Sequence, residues 1–345
     1  METNWNQYFF NFIKKHSDKH WSWYWLSLNP NITWDIVEAN PDNPWNWRGL
    51  SCNPNITWDI VEANPDKPWD WYNLSRHPNI TIEIVQQNPD KPWIWIDLSF
   101  NPNINWEFVE SNPDKPWNWC GLSRNQNITM DIVEANPDKP WSWCGLSRNQ
   151  NITMDIVEAN PDKPWDWYWL SYNKIITWEF VEANPDKPWN WNGLSRNPNI
   201  TWEIVEANPD KPWDWKEFSP KPNITMDIME TNPNKYWSWL CFNPNITWNI
   251  VEANPDNPWD WYYISCSPNI TTDNVEANPD KPWNWEMLSS NKFTKEKEMF
   301  ELRVKHQQFV QDNLFEEFVK IYMHPNRIQK LLDMGHSIDE LDDIL

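Results

Sequence analysis

Residues that could perform acid–base, nucleophilic or metal chemistry are few and scattered in this chain of 345 residues. His16 and His20 have the four-residue spacing of two metal ligands on one helix, but no third ligand follows nearby. The other histidines and the five cysteines form no metal or disulfide pattern, and no phosphate loop or nucleophile elbow is present. The sequence therefore predicts no cofactor, no metal and no enzyme, with catalysis kept as a distant alternative.

The dominant feature is instead a repeat built on the pair Trp-x-Trp. It occurs twelve times, and ten of the eleven intervals are 24 residues, whereas the interval from Trp237 to Trp259 is 22. A fixed period of this length is typical of a stacked array. We number the repeats 1 to 12 from the first Trp of each pair: Trp21, Trp45, Trp69, Trp93, Trp117, Trp141, Trp165, Trp189, Trp213, Trp237, Trp259 and Trp283.

Each repeat is predicted to hold two short helices. One is expected to start at 42–44, with Asp42 as N-cap and proline in its first turn, and to run through both tryptophans to about Ser51. The other starts at Thr33 and its equivalents, because threonine can cap a helix, as can the asparagine that replaces it at position 105. A proline after Asn40 ends this helix.

These elements predict an all-α fold, an α-solenoid of about eleven to twelve helix-turn-helix repeats of 24 residues with a C-terminal helical cap. The alternative is a β-containing leucine-rich horseshoe. It requires an apolar residue two positions before the repeat leucine, where Arg48, Asn192 and Lys216 stand in three repeats. The alternation fails, so helices are favoured.

Three regions are predicted. Residues 1–20 form a degenerate half-repeat whose helix, Trp5 to Lys15, covers the open end of the array; residues 21–290 form the array; residues 291–345 form a helical cap or module. In the last region, apolar residues at helical spacing predict a long helix after residue 294 and further helices at 327–334 and 338–345. The apolar positions of the long helix are Met299, Leu302, Phe309, Val310, Leu314, Phe318 and Ile321.

A candidate binding surface follows from variation among the repeats. If the helix includes the first Trp, the second Trp and the leucine share a buried face, and positions +3, +4 and +7 from the first Trp lie opposite. Those three positions vary, whereas the others are nearly constant, which is how solenoids build recognition surfaces; neutral drift of exposed positions is the alternative. The predicted protein-binding face comprises Arg48, Tyr72, Arg76, Ile96, Phe100, Arg124, Arg148, Tyr168, Trp169, Tyr172, Asn192, Arg196, Lys216, Tyr262 and Tyr263.

The first Trp has two interpretations, and so has the acidic face of the other helix. The first Trp is expected to pack back on the preceding proline-rich loop rather than to serve as an exposed anchor. Asp35 and Glu38, repeated along the array, form an acidic ridge that meets either a basic partner or only solvent. Asn-Ile-Thr triplets such as that at Asn31 match the glycosylation pattern, but a capping threonine explains them better.

Net charge and segment composition limit the partners. A formal charge of −22 disfavours nucleic acid and anionic membranes, because both require basic surface. The start of the chain does not resemble a signal peptide, and no apolar run is long enough for a membrane span. The expected location is the reducing cytoplasm, and the expected partners are proteins, basic ones among them; monomer and self-association are both left open.

The run from Trp69 to Thr81, Trp-Asp-Trp-Tyr-Asn-Leu-Ser-Arg-His-Pro-Asn-Ile-Thr, looks like the Trp-rich repeat proteins of giant DNA viruses of amoebae (mimivirus-like). The stretch 324–343, beginning His-Pro-Asn-Arg-Ile, also resembles a closing motif of such viral proteins. The resemblance implies a viral protein in the infected host cytoplasm or in the virion, and it carries no established activity. The predicted function is a non-catalytic scaffold that binds host or viral proteins; the alternative is a structural, self-assembling virion protein.

Overall fold

The computed structural model describes residues 4–232, 242–257, 259–311 and 329. Within them the chain forms 24 α-helices and no strand, so the predicted α-solenoid is confirmed and the leucine-rich horseshoe is excluded for this part. Residues 240–241, which belong to the 22-residue interval, lie outside the described residues, as do the helices predicted at 327–334 and 338–345.

Two series of helices alternate along the chain. The first helices, which carry the second Trp, are α2 (Trp23–Leu28), α4 (Trp47–Leu50), α6 (Trp71–Arg76), α8 (Trp95–Leu98), α10 (Trp119–Arg124), α12 (Trp143–Ser147), α14 (Trp167–Tyr172), α16 (Trp191–Arg196), α18 (Trp215–Phe218), α21 (Trp261–Cys266) and α23 (Trp285–Ser290). The second helices are α3 (Trp34–Ala39), α5 (Trp58–Ala63), α7 (Ile82–Gln87), α9 (Trp106–Glu110), α11 (Met130–Ala135), α13 (Met154–Ala159), α15 (Trp178–Ala183), α17 (Trp202–Ala207), α19 (Met226–Thr231), α20 (Trp248–Ala253) and α22 (Thr272–Ala277). α1 (Trp5–Lys15) and α24 (Thr294–Phe309) flank the array.

The first helices begin four residues later than predicted, with the N-cap at Asn46 instead of Asp42. Asn46, between the two tryptophans, has extended backbone (φ −90°, ψ 108°), and its side chain accepts a hydrogen bond of 2.9 Å from the Gly49 amide. The cap is therefore the central residue of Trp-x-Trp, which is serine, asparagine or aspartate in every repeat except at Ile94. The expectation that Asp42 caps a helix running through Trp45 was wrong.

The second helices match the prediction closely. Thr33 occupies the N-cap position with extended backbone, and Asn105 takes the same position and accepts a 2.9 Å hydrogen bond from the Phe108 amide. Asn40 ends α3, and its side-chain amide donates to the Ile36 carbonyl at 2.8 Å, which satisfies one of the free acceptors of the last turn.

The first Trp packs back on the loop before it, as expected. The indole N–H of Trp45 donates to the Asn40 carbonyl at 2.8 Å, and Trp69 makes the same bond to Asn64 at 2.9 Å. Eight of the eleven described ones are buried: Trp45, Trp69, Trp93, Trp117, Trp141, Trp165, Trp213 and Trp283. The helical wheel that included the first Trp does not apply, because Trp45 and Asn46 precede the helix.

Buried polar side chains join each repeat to the next. The Ser27 hydroxyl accepts a hydrogen bond of 2.9 Å from the Asn46 amide of the following repeat. The Asn53 side chain donates to three carbonyls of the preceding repeat, those of Ser27, Asn29 and Ile32, at 2.8–3.1 Å. Equivalent bonds recur along the array, so its backbone carbonyls are satisfied by the neighbouring repeat rather than by a sheet.

The same bonds connect the last repeat to the first and close the array into a ring. The Ser22 amide donates to the Ser289 hydroxyl at 2.9 Å, although 267 residues separate them. The Asn29 side chain donates to the carbonyls of Ser289 and Asn291 at 3.0 and 2.9 Å, as Asn53 does one repeat later. We call this junction between repeats 12 and 1 the seam. The predicted open end does not exist.

Helix α1 forms as predicted, and it completes repeat 12 instead of covering a free end. Its Phe10 packs on Trp45 with 6.1 Å between ring centroids, as Trp34 packs on Trp69 at 5.9 Å. The Trp21 indole donates to the His16 carbonyl, the bond that each of the other described first tryptophans makes to the residue five positions before it. The second helix of repeat 12 is therefore supplied by residues 5–15.

The residues that follow α23 do not occupy the second-helix position of repeat 12, because the chain changes direction at Phe293. Phe293 is the one described non-glycine residue with a positive φ, 46°, and it is fully buried. Its amide donates to the Asn291 side chain at 2.8 Å, and its ring packs on Phe9. Tight surroundings of this kind hold a left-handed residue that costs about 1–3 kcal/mol. Helix α24 then packs against α1, where Phe300 contacts Trp5 at 5.5 Å.

Part of the face predicted for the long C-terminal helix is not the packed one. Glu296 and Phe300 are its buried residues, whereas Met299 and Leu302 are 53% and 65% exposed. The prediction followed apolar spacing alone, but the contact that anchors α24 is polar. Glu296 accepts hydrogen bonds from the amide and hydroxyl of Thr272 at 2.7 and 2.6 Å.

Candidate functional site: the inner face of the ring

The first helices form the inner layer of the ring. Neighbouring first helices approach so closely that a Cβ added to Gly49 would lie 2.7 Å from the Tyr24 carbonyl oxygen. Second helices are held apart by an indole, since Trp69, which follows α5, packs against Trp34 at the start of α3. In a closed ring of two layers, the layer with the smaller spacing is nearer the axis. The side of each first helix that faces away from the second helices therefore faces the opening.

Two of the three variable positions lie on this inner face. Positions +3 and +7 are one helical turn apart, and they include the exposed Tyr72, Ile96, Tyr172 and Tyr262, whose exposed fractions are 41–48%. Position +4 instead points at the preceding repeat. It is buried glycine at Gly49 and three other repeats, where a Cβ would meet the neighbouring helix. Trp169 and Tyr263, at this same position, are only half-buried.

Position +4 also carries two carboxylates that neutralise arginines at position +7. Asp97 is 2% exposed and lies 2.6 Å from the Arg76 guanidinium of the preceding repeat. Glu217 makes the same contact with Arg196 at 2.9 Å. In both pairs the acid is 21 residues after the arginine. Burial of the acid alone would be costly, so the arginine partner accounts for its presence at the junction.

Two arginines at position +7 have no such partner within the described part of the chain. Twenty-one residues after Arg124 stands Gly145, and twenty-one residues after Arg148 stands Trp169. The Arg148 guanidinium lies 3.7 Å from the centre of the Trp169 ring, a cation–π contact. Burial, and next the charge of Arg124, lower the pKa of Arg148, whereas the charge of Asp166 has the opposite, smaller effect.

These arginines line two adjoining clefts of about 330 and 420 Å³ at the rim where the first helices end. Both clefts share Arg124, Arg148 and Gln150. Trp169, Tyr172 and Lys174 complete the smaller one. Gln126 and Gln150 replace the proline found at this turn in most repeats, so this rim is also locally more polar. We call the combined surface the arginine cleft.

The second helices, on the other side of the ring wall, carry 20 of the 50 acidic residues. Asp35 and Glu38 of α3 are exposed, as predicted for the acidic ridge. Lysines of the intervening loops cover the edges of the second tryptophans, for example Lys115, 4.6 Å from the Trp95 ring. The surface that combines arginines with aromatic rings is thus separate from the surface that accounts for the net charge.

Three substitutions interrupt the row of asparagines at the turns, namely His77, Lys221 and Ser267. His77 keeps the pattern as a neutral ring, since its Nε2 donates to the Asn53 carbonyl, its Nδ1 accepts from the Asn79 amide, and burial lowers its pKa. Lys221 donates instead to the carbonyls of Asn197 and Ile200 at 2.7 and 2.9 Å. Burial lowers the pKa of Lys221 to about 7.

Sequence reasoning missed the junction serines, the turn asparagines and the caps between the tryptophans. Each has a signal in the repeat: constant small polar residues at fixed positions beside a buried leucine. Ser51 and Asn53 are fully buried, and constant buried polar residues must have partners, here in the neighbouring repeat. The glycosylation triplets also belong to this network, because the side-chain amide of Asn55 donates to the backbone carbonyls of Pro30 and Ile32.

No group of three or more potential metal ligands comes together in the described residues. His16 caps α1 and contacts Glu276 across the seam at 3.3 Å, and His20 does not join it in a site. The four cysteines in the described ranges are free thiols. Over the same ranges, no helix combines the length and the apolar character needed to cross a membrane.

Comparison of the chain with protein-family models, with curated proteins and with solved structures finds no match.

Proposed function

We propose that this protein is a non-catalytic scaffold that binds other proteins through the inner face of its ring. The observation that carries the proposal is the difference between the constant and the variable positions of each repeat. The leucine, the serine, the glycine and the first Trp are used in packing, whereas positions +3 and +7 differ between repeats and stay accessible. A constant framework with variable exposed positions is the arrangement by which repeat proteins recognise partners.

The size of the opening supports a peptide segment or a helix as the bound element. The eleven described first helices, at the usual interaxial spacing of about 9 Å, are enough to enclose an opening on the order of 20 Å across, once their own radius of about 5 Å is subtracted. A single helix with its side chains is about 10–12 Å wide. The aromatic and arginine side chains of the inner face are also the types enriched at the centres of protein interfaces.

The test is affinity purification with matched variants. The inner-face variant combines Ile96→Ala, Tyr172→Ala and Tyr262→Ala, and the control combines Glu62→Ala, Glu134→Ala and Glu206→Ala on the second helices. We expect proteins that co-purify with the wild type to be lost from the inner-face variant and retained by the control, with equal melting temperatures for both. Retention of every partner by the inner-face variant contradicts the proposed surface.

The resemblance to repeat proteins of giant DNA viruses of amoebae supports amoebae infected with such a virus as the material for this purification. We propose that the protein acts in the infected host cytoplasm. Proteomics of purified virus particles tests this location, because abundance in the particle would favour the alternative of a virion component. Closure of the ring leaves no free solenoid end for end-to-end growth, which favours the scaffold.

A further inference from the structure

Four arginines and two aromatic residues occupy position +7 in repeats 3 to 8, in the order Arg76, Phe100, Arg124, Arg148, Tyr172 and Arg196. The two outer arginines are neutralised by Asp97 and Glu217. For the two inner arginines, Arg124 and Arg148, the position 21 residues later holds Gly145 and Trp169 instead of an acid. Position +7 therefore carries two arginines with a carboxylate partner and two without one, and the two without are in adjacent repeats.

We infer that the arginine cleft binds an acidic peptide segment, whose carboxylates take the place that Asp97 and Glu217 fill at the paired arginines. This inference rests on the proposed scaffold function and names the chemistry of one partner. The sequence-based expectation of a basic partner concerned the acidic ridge of the second helices, whereas the inner face has the opposite charge.

The internal pairs provide the geometric model for this contact. Arg76 uses its Nε and a terminal nitrogen on one carboxylate oxygen of Asp97, at 2.7 and 2.6 Å. Arginine recognises a carboxylate through several donors held in one plane, so a peptide carboxylate fits the same donors on Arg124 and Arg148. Lys174 is exposed at the edge of the cleft and adds a third positive group without a carboxylate partner in the described residues.

The ring walls determine what kind of acidic molecule fits. Trp169 and Tyr172 give one side of the cleft an apolar surface, which suits the carbon chain of a glutamate or a neighbouring apolar side chain. A nucleic acid requires roughly six to ten phosphate contacts for substantial affinity, and two arginines with one lysine supply too few. Charges of the second-helix ridge act across the ring wall and are screened beyond about 8 Å at physiological salt.

The experiment measures fluorescence anisotropy of a labelled oligoglutamate peptide, with oligoglutamine of the same length as the neutral probe. We expect the wild type to bind oligoglutamate and not oligoglutamine, with affinity that falls as salt is raised. Arg124→Gln with Arg148→Gln should weaken binding about tenfold or more. Trp169→Glu should do the same, because it supplies Arg148 with the carboxylate found 21 residues after Arg76 and Arg196.

The matched control is Arg196→Gln, which removes an arginine that Glu217 already neutralises and that lines neither of the two clefts. We expect its affinity for oligoglutamate to stay within about threefold of the wild type. An equal loss in this control and in the double variant, or no binding of oligoglutamate up to about 1 mM, overturns the inference. Tighter binding of a single-stranded oligonucleotide than of oligoglutamate overturns it as well, and so does equal competition by inorganic phosphate.

These outcomes are distinguishable from failure of the scaffold proposal. The scaffold test relies on Ile96, Tyr172 and Tyr262, of which only Tyr172 borders the arginine cleft. Loss of co-purified proteins from that variant, together with no oligoglutamate binding, would keep the scaffold and reject the acidic partner.

Discussion

The seam and the interior junctions of the ring are built from the same hydrogen bonds but from very different stretches of chain. At an interior junction, the Asn46 amide reaches the Ser27 hydroxyl across 19 residues. At the seam, the Ser22 amide reaches Ser289 across 267 residues. Closing a loop roughly ten times longer costs about 2 kcal/mol more in chain entropy. Identical bonds therefore cannot make the seam as stable as the other junctions.

The extra contacts at the seam offset this cost. Helix α1 buries Trp5, Phe9, Phe10, Phe12 and Ile13, and each such side chain contributes about 1.5–3 kcal/mol when buried. Lys15 and His16 both contact Glu276, and the Tyr8 hydroxyl lies 3.0 Å from that of Thr272. A closed ring of weak repeats therefore requires one junction, here the seam, that is stronger in packing than the rest.

Removal of residues 1–20 should have the largest effect on the seam relative to the interior junctions. We expect the ring to open, because five large buried side chains are lost, on the order of 10 kcal/mol in all. Small-angle scattering should show a larger radius of gyration, and thermal unfolding should begin at lower temperature. As a point control, Phe12→Ala and Ile36→Ala remove side chains at the same repeat position, at the seam and at an interior junction. An unchanged radius of gyration for the truncated chain would contradict the role of α1.

The Lys221→Asn variant tests an interior junction that already departs from the pattern. The pKa of Lys221 in the folded protein, about 7, is below its ordinary value of 10.5. The unfolded chain thus binds more protons between those pH values, so wild-type stability falls as pH drops from 10.5 to 7 and levels off below 7, where both states are protonated. We expect the variant to be more stable by on the order of 2–4 kcal/mol at pH 6, with the advantage shrinking by pH 10.5.

Urea unfolding of both proteins across this pH range measures the effect. A wild-type-to-variant difference that does not change with pH would show that the Lys221 ammonium is not destabilised by its burial.

Asn29→Ala and Asn53→Ala compare the turn asparagine at the seam and in the interior. Each leaves buried carbonyls without a donor, a loss of about 1–3 kcal/mol. We expect the seam variant to expose α1, α2 and α23 to hydrogen exchange while the rest of the ring stays protected, since one weakened junction opens locally. The interior variant should show its local opening around α2 and α4 instead. Identical exchange patterns in the two variants would contradict local opening at the mutated junction.

Ile94→Asp should have the smallest effect, and it is stabilising. Ile94 is the one central residue among the described Trp-x-Trp pairs whose side chain forms no cap, whereas Asp70 in the preceding repeat accepts from the Asn73 amide at 3.0 Å. We expect a gain of about 1 kcal/mol, measured as a higher melting temperature. The matched reverse change, Asp70→Ile, should lower it by a similar amount.

The helices could be predicted from the sequence because their boundary residues repeat, and the ring could not. Thr33, Asn105 and Asn40 mark the ends of the second helices by local chemistry that a single repeat contains. Closure depends instead on a small angle between repeats multiplied twelve times, and no residue encodes that angle by its type. The displaced start of the first helices could not be read from residue type, since Asn46 and Asp42 are equally good N-caps.

The candidate surface was predicted in part, for a related reason. Positions +3 and +7 were identified correctly as accessible, since variation among repeats follows exposure. Position +4 varies too, but its variation follows the neighbouring helix: glycine where the helices touch, and Asp97 or Glu217 where an arginine needs a partner. The spacing of 21 residues between those partners becomes meaningful only when the separation of adjacent repeats is known.

Because α1 belongs to repeat 12, the order of synthesis matters for this protein. Residues 5–15 leave the ribosome well before α23, so the aromatic side chains of α1 stay uncovered while the rest of the array is synthesised. Contacts between such distant parts of a chain form late and slowly, and uncovered apolar surface in the interval invites aggregation. A chain released before repeat 12 is made has no partner for α1 and keeps both edges open. Ring closure therefore distinguishes finished from unfinished chains, and a chaperone that holds residues 5–15 would act on unfinished ones alone.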